Sequence, residues 1–177
     1  MFFNDPSRKT TTSLSSNPTS DQPDLVYFYS EPLVDRIYDD KTQKHKLVST
    51  GSDQLATDLE YRRLIEILRS TGKDFQISKQ AINFESLKEM VARKPKIIHI
   101  SCHGDFCDEQ KEFYLQFEGI GDGIADKFYQ SRLFDLLGEE KDHGIKLAFV
   151  SACHSEEIGS ILLKCNIPCV ISVNSNW

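Results

Sequence analysis

Two short apolar runs, IIHISC at residues 97–102 and KLAFVSA at 146–152, constrain the fold more than any other feature of the chain. A run of this length that is nearly continuous, with no alternation of apolar and polar positions, reads as a strand buried on both faces of a parallel sheet. Each run also stops at residues able to do chemistry, the first at His103-Gly104 and the second at Cys153.

The segments around these runs alternate in the same way. LVYFYS reads as a strand from Leu25 to about Ser30, with Pro32 turning the chain out of it and a polar loop expected to about Gly51. Tyr61, Leu64, Ile65 and Leu68 then fall at i, i+3, i+4 and i+7, the stripe of an amphipathic helix that ends near Gly72. Phe75 to Ile82 reads as a strand. Asn83 is placed to cap a helix with Phe84, Leu87 and Val91 on one face, and Pro95 stops it. Residues 105–129 break the rhythm with an acidic loop (Asp105, Asp108, Glu109, Glu112), a short strand FYLQF and the turn GIGDG, as an insertion at a strand end would. Helical spacing returns at Leu133, Phe134, Leu136 and Leu137. Ser155 is placed to cap a helix bearing Ile158, Ile161, Leu162 and Cys165, and Ile167 to Val173 reads as a fifth strand. Alternating strands and helices predict an α/β fold, a three-layer αβα sandwich with a mostly parallel sheet.

Residues 7–23 contain one leucine among Ser, Thr, Asn and Pro, too little apolar surface to offset the entropy of ordering, so 1–23 is expected to be a disordered polar tail and 24–177 one domain. With 21 Lys and Arg against 27 Asp and Glu, the net charge of −6 offers no basic field for nucleic acid. No apolar run is long enough to span a membrane, and the start, MFFNDPSRKTTTS, has no secretory hydrophobic core, which predicts a cytoplasmic protein. The five cysteines, an odd and sparse set, read as thiols. Cys165 and Cys169 are expected in the core, His99 as a buried hydrogen-bonded strand residue, and His143 and His154 at the surface or rim. A zinc site from Cys102, His103, Cys107, Cys153 and His154 lacks paired C-x-x-C spacing, and no metal or organic cofactor is expected.

In open α/β sheets, reacting groups gather beyond the carboxyl ends of the strands. If the strands that end at His103 and Cys153 are neighbours, about 4.8 Å apart, the two side chains can serve as base and nucleophile. The amides of Gly104 and Cys153 would then face a developing oxyanion. Cys153 also precedes a helix N-terminus, whose partial charge favours thiolate, while Glu156 and Glu157 oppose it. The acidic loop from Asp105 to Glu112 is expected to be a solvated face, and otherwise a rim that attracts a cationic peptide.

IIHISCHGD followed some fifty residues later by LAFVSACHS resembles the CHAT domain, a caspase-like cysteine peptidase module often joined to tetratricopeptide repeats. The likeness extends to VYFYSEPLV, DLEYRRLIEIL and IPCVISV, covering roughly residues 25–177. It implies His103 as base and Cys153 as nucleophile of a thiol protease, a hydrolase acting in proteolysis on a protein or peptide substrate. A tetratricopeptide-repeat or other regulatory protein is the implied partner. It also implies a sheet continuing beyond the fifth strand, so the domain is expected to be C-terminally incomplete. The alternative function is a non-catalytic caspase-like protein-interaction module.

Overall fold

The computed structural model describes residues 22–49, 55–138 and 142–173. The expected tail therefore lies outside the described residues except for Gln22 and Pro23. Five strands form the central sheet: β1 (Leu25–Tyr29), β4 (Ile77–Ala81), β5 (Ile97–Ser101), β9 (Leu147–Ser151) and β10 (Val170–Ser172). Their spatial order is β10-β9-β5-β1-β4, and every pairing is parallel. The two apolar runs of the sequence are thus the central strand β5 and its direct neighbour β9.

Strand alternation divides the sheet into two faces. Val26, Phe28, Ile98, Ile100, Ala148 and Val150 form the main core. Packed on that face are Leu87, Met90 and Val91 of α2 (Phe84–Ala92), Leu133 and Leu137 of α3 (Gln130–Gly138), and Ile158 and Leu162 of α4 (Ser155–Lys164). Asn83 caps α2 as expected: its side chain accepts from Ser86 N–H, and the Ser86 hydroxyl accepts from Asn83 N–H, a reciprocal capping box.

The other face meets α1 (Thr57–Ser70), so the layers are helix, sheet, helix. A groove of about 500 Å³ opens between α1 and the sheet, lined by Leu59, Leu64 and Ile67 above and Leu147 and Phe149 below. Beside it, Ile171 on the edge strand β10 is 46 % exposed. No described helix is long and apolar enough to cross a membrane.

Two antiparallel units are added to this frame. The segment expected as a polar loop folds as a hairpin, β2 (Val34–Asp39) and β3 (Lys44–Ser49), with Gln43 in the left-handed region of its turn. The expected insertion is a three-stranded sheet: β6 (Gly104–Cys107), β7 (Glu112–Glu118) and β8 (Ala125–Tyr129). It contains the predicted FYLQF strand and adds one strand on each side of it. Leu115, Phe117 and Phe128 from this sheet join the main core, which fixes it over the strand ends.

Candidate active site

The register of β5 and β9 fixes the strand ends that the candidate residues follow. His99 pairs with Phe149, their rings 4.5 Å apart, and Ser101 pairs with Ser151. Cys102 N–H donates to the Ser151 carbonyl at 3.2 Å, which carries the pairing past the strand ends. His103 and Cys153 each follow two residues past the paired Ser101 and Ser151. Gly104 lies so close to that strand end that a Cβ there would fall far inside van der Waals distance of the Cys153 carbonyl oxygen and 3.5 Å from the Ala152 methyl. Gly104 is therefore required by close approach. Its φ lies outside the left-handed region, so backbone conformation does not demand glycine.

His103 is half-buried and Cys153 is exposed. The His103 carbonyl accepts from Gln116 N–H at 2.8 Å, anchoring the chain on β7 just as it leaves β5. In an antiparallel ladder this bond makes Gly104 and Leu115 a non-hydrogen-bonded pair, so Gly104 N–H takes no part in the β6–β7 ladder. After Cys153 the backbone turns sharply into α4 through His154, whose φ of 54° is unusual for a residue with a side chain. His154, not Ser155, occupies the cap position. Ser155 instead is fully buried in the first turn, where its hydroxyl donates to the Val173 carbonyl and accepts from Val173 N–H, both at 2.8 Å. That clamp ties the start of α4 to the chain just past β10.

The five cysteines are all free thiols, and their surroundings differ. Burial pushes Cys102 upward, keeping it in the thiol form in the core, and raises Cys165 to about 11. Cys107 is lowered by hydrogen bonds from the Gln110 backbone and the Tyr129 hydroxyl. Cys169, expected in the core, is exposed at the approach to the edge strand. His143, expected at the rim, is 4 % exposed: its Nε2 lies 2.9 Å from the Cys165 carbonyl, and Ile145 N–H donates to its Nδ1. Two satisfied ring nitrogens make a polar residue fit the interior. Among the described residues no cluster of three or more His, Cys, Asp or Glu is arranged to hold a metal.

Sequence reasoning missed a polar network between α1 and strands β1 and β5. Glu60 of α1 reaches the sheet, its Oε1 3.0 Å from His99 Nε2, while its Oε2 accepts from Ser101 Oγ at 2.6 Å and lies 3.0 Å from the Tyr27 hydroxyl. Partial burial pushes Glu60 up. Hydrogen bonds from His99, Ser101 and Tyr27, with the attraction of His99, outweigh burial and bring it down to about 2. His99 is 7 % exposed, a structural residue as expected. The available signal was Glu60 itself, an acid next to the apolar stripe of α1. Replacing Glu60 with Ala should cost about 2 kcal/mol of stability, because Ser101 and His99 lose their partner inside the fold. In the wild type, the ionised carboxylate's contribution is complete above the ordinary glutamate value of 4.5 and fades as pH falls toward 2. Urea unfolding of both proteins at pH 7 and pH 3 checks this, since the gap between them should narrow in acid.

The CHAT domain family model matches residues 3–161. The chain belongs to the CHAT domain family. No curated protein matches it. The three-layer architecture described above, with β5 and β9 as neighbouring parallel strands, is consistent with the caspase-like fold of that family.

Proposed function

We propose that this CHAT domain is a cysteine-type endopeptidase hydrolysing peptide bonds with a His103–Cys153 dyad. The observation that carries the reading is the apposition of Gly104 and Cys153 at the tips of adjacent parallel strands, a contact so close that only glycine fits. Cys153 thiolate attacks the peptide carbonyl, forming a C–S bond as the carbonyl π pair moves to oxygen. The N–H groups of Gly104 and Cys153 receive that charge. His103, as imidazolium, gives its proton to the leaving amine as the C–N bond breaks, then activates the water that releases the acyl group. No cofactor is needed for this chemistry. The substrate is a protein or peptide, and the exposed carboxylates of Asp105, next to Gly104, and of Asp108, in the β6–β7 turn, favour one with a basic residue before the scissile bond. The setting is cytoplasmic, with a tetratricopeptide-repeat or other regulatory protein as partner.

A non-catalytic interaction module is the rival reading, and the groove between α1 and the sheet favours it, because apolar surface left open beside an edge strand suits a partner. One experiment separates the two. The protein is treated with a peptidyl electrophile and the modified residue is mapped by mass spectrometry, alongside peptide hydrolysis. Cys153 is expected to react before the other four cysteines, with labelling lost in Cys153→Ala. Preferential modification of Cys107, the competing lowered thiol, or of Cys102 would overturn the peptidase reading.

A further inference from the structure

A row of aromatic rings begins at the residue after the nucleophile. His154 lies with its ring centroid 5.5 Å from that of Phe113 on β7, and Phe113 lies 4.9 Å from Phe106 on β6. Phe106 and Phe113 are directly paired across the β6–β7 ladder, so the row is set by sheet register and not by loops. Phe113 is packed on its inner side against the main core, which holds it rigid. Its outer side is different. Phe117 and Phe128 of the same small sheet are fully buried, whereas Phe106 and Phe113 are half-buried and His154 is exposed. Apolar ring surface is thus left open from His154, the residue after Cys153, across to β7 and to β6, the strand that starts at Gly104.

We infer that Phe106, Phe113 and His154 form a subsite for a large apolar, preferentially aromatic, side chain on the leaving-group side of the scissile bond, an inference that rests on the peptidase reading. The side follows from the chemistry: His103 must reach the leaving amine, and the chain beyond His103 runs directly into β6 and Phe106. A substrate lying with its amine at His103 therefore passes its next residue over this row. Offset or tilted ring contacts with a rigid aromatic platform reward an aromatic side chain beyond the area it buries.

The test uses Michael-acceptor peptides, either ending at the reactive carbon or extended past it by Phe, Leu, Ala or Asp. Cys153 thiolate adds to the β-carbon, forming a C–S bond as the C=C π pair moves to the α-carbon, which takes the proton of the His103 imidazolium. The reading is modification of Cys153, so turnover is not required. Extension by Phe is expected to label Cys153 about tenfold faster than extension by Ala. That ratio should fall to about twofold or less in Phe113→Ala and in the apolar, non-aromatic Phe113→Leu, and return in Phe113→Tyr. Equal rates for the Phe and Ala extensions in the wild type overturn the subsite, as does a ratio that survives in both Phe113→Ala and Phe113→Leu. A separate failure has its own signature: if the unextended acceptor labels Cys153 no faster in the wild type than in His103→Ala, the dyad itself is wrong and the subsite falls with it.

Discussion

Replacing His103 with Ala is expected to slow modification of Cys153 by an electrophilic peptide by about 10²- to 10⁴-fold near neutral pH, the range that a positioned acid–base group supplies. The loss should be chemical and not structural. One link that holds this part of the chain, from Gln116 N–H to the His103 carbonyl, belongs to the backbone and survives the substitution. The imidazole is half-buried, so its removal opens no core cavity. His99, four residues earlier and within β5, is the natural control. Its ring is buried between Tyr27 and Phe149 and bonded to Glu60, so His99→Ala should lower the unfolding midpoint far more and the labelling rate of the folded protein far less. Rate constants for labelling, measured beside urea unfolding, check both variants. A His103→Ala protein that is folded and labels Cys153 at the wild-type rate would remove the base from the mechanism.

The contrast between these two histidines shows what the sequence could convey. Strands β5 and β9 were legible because each is a nearly continuous apolar run, and a buried parallel strand is written in its own residues without reference to the rest of the chain. The capping box at Asn83 and Ser86 was half legible for the same reason, being local. The β2–β3 hairpin was not. Most of its residues are exposed on both sides, so no period-two pattern develops, and the one local cue was the polar turn ending at Gln43. His143 and Cys169 exchanged their expected places because their burial depends on which strand lies at the sheet edge and where Cys165 presents its carbonyl, both of which are tertiary facts. Ser155 read as a cap but satisfies the end of β10, a partner eighteen residues away. The Phe106–Phe113 pair was within reach. Reading residues 108–111 as a hairpin turn would have set the two rings opposite each other, but the acidic character of the segment suggested a solvated loop.

Gly104→Ala is the substitution that most directly tests whether the two strand tips must touch. The added methyl would lie well within contact distance of the Cys153 carbonyl oxygen, and neither partner can swing aside, since the atom it meets is backbone. The chain before it is held by Cys102 N–H on Ser151 and by Gln116 N–H on the His103 carbonyl, and the chain after it enters the β6–β7 ladder. The strain must therefore separate the tips by about 1 Å, and a displacement of that size between reacting groups costs roughly a hundredfold in rate. Labelling of Cys153 should fall by about that factor. Stability should drop by only about 1–3 kcal/mol, the usual range for overpacking, because the core beneath is untouched. Gly72→Ala supplies the comparison: Gly72 has φ of 69° but nothing within 4 Å of the position a Cβ would take, so its cost is confined to local backbone strain of about 1 kcal/mol and labelling should be unchanged. A Gly104→Ala protein that labels as fast as the Gly72→Ala protein would show that the close approach of these strands serves packing alone.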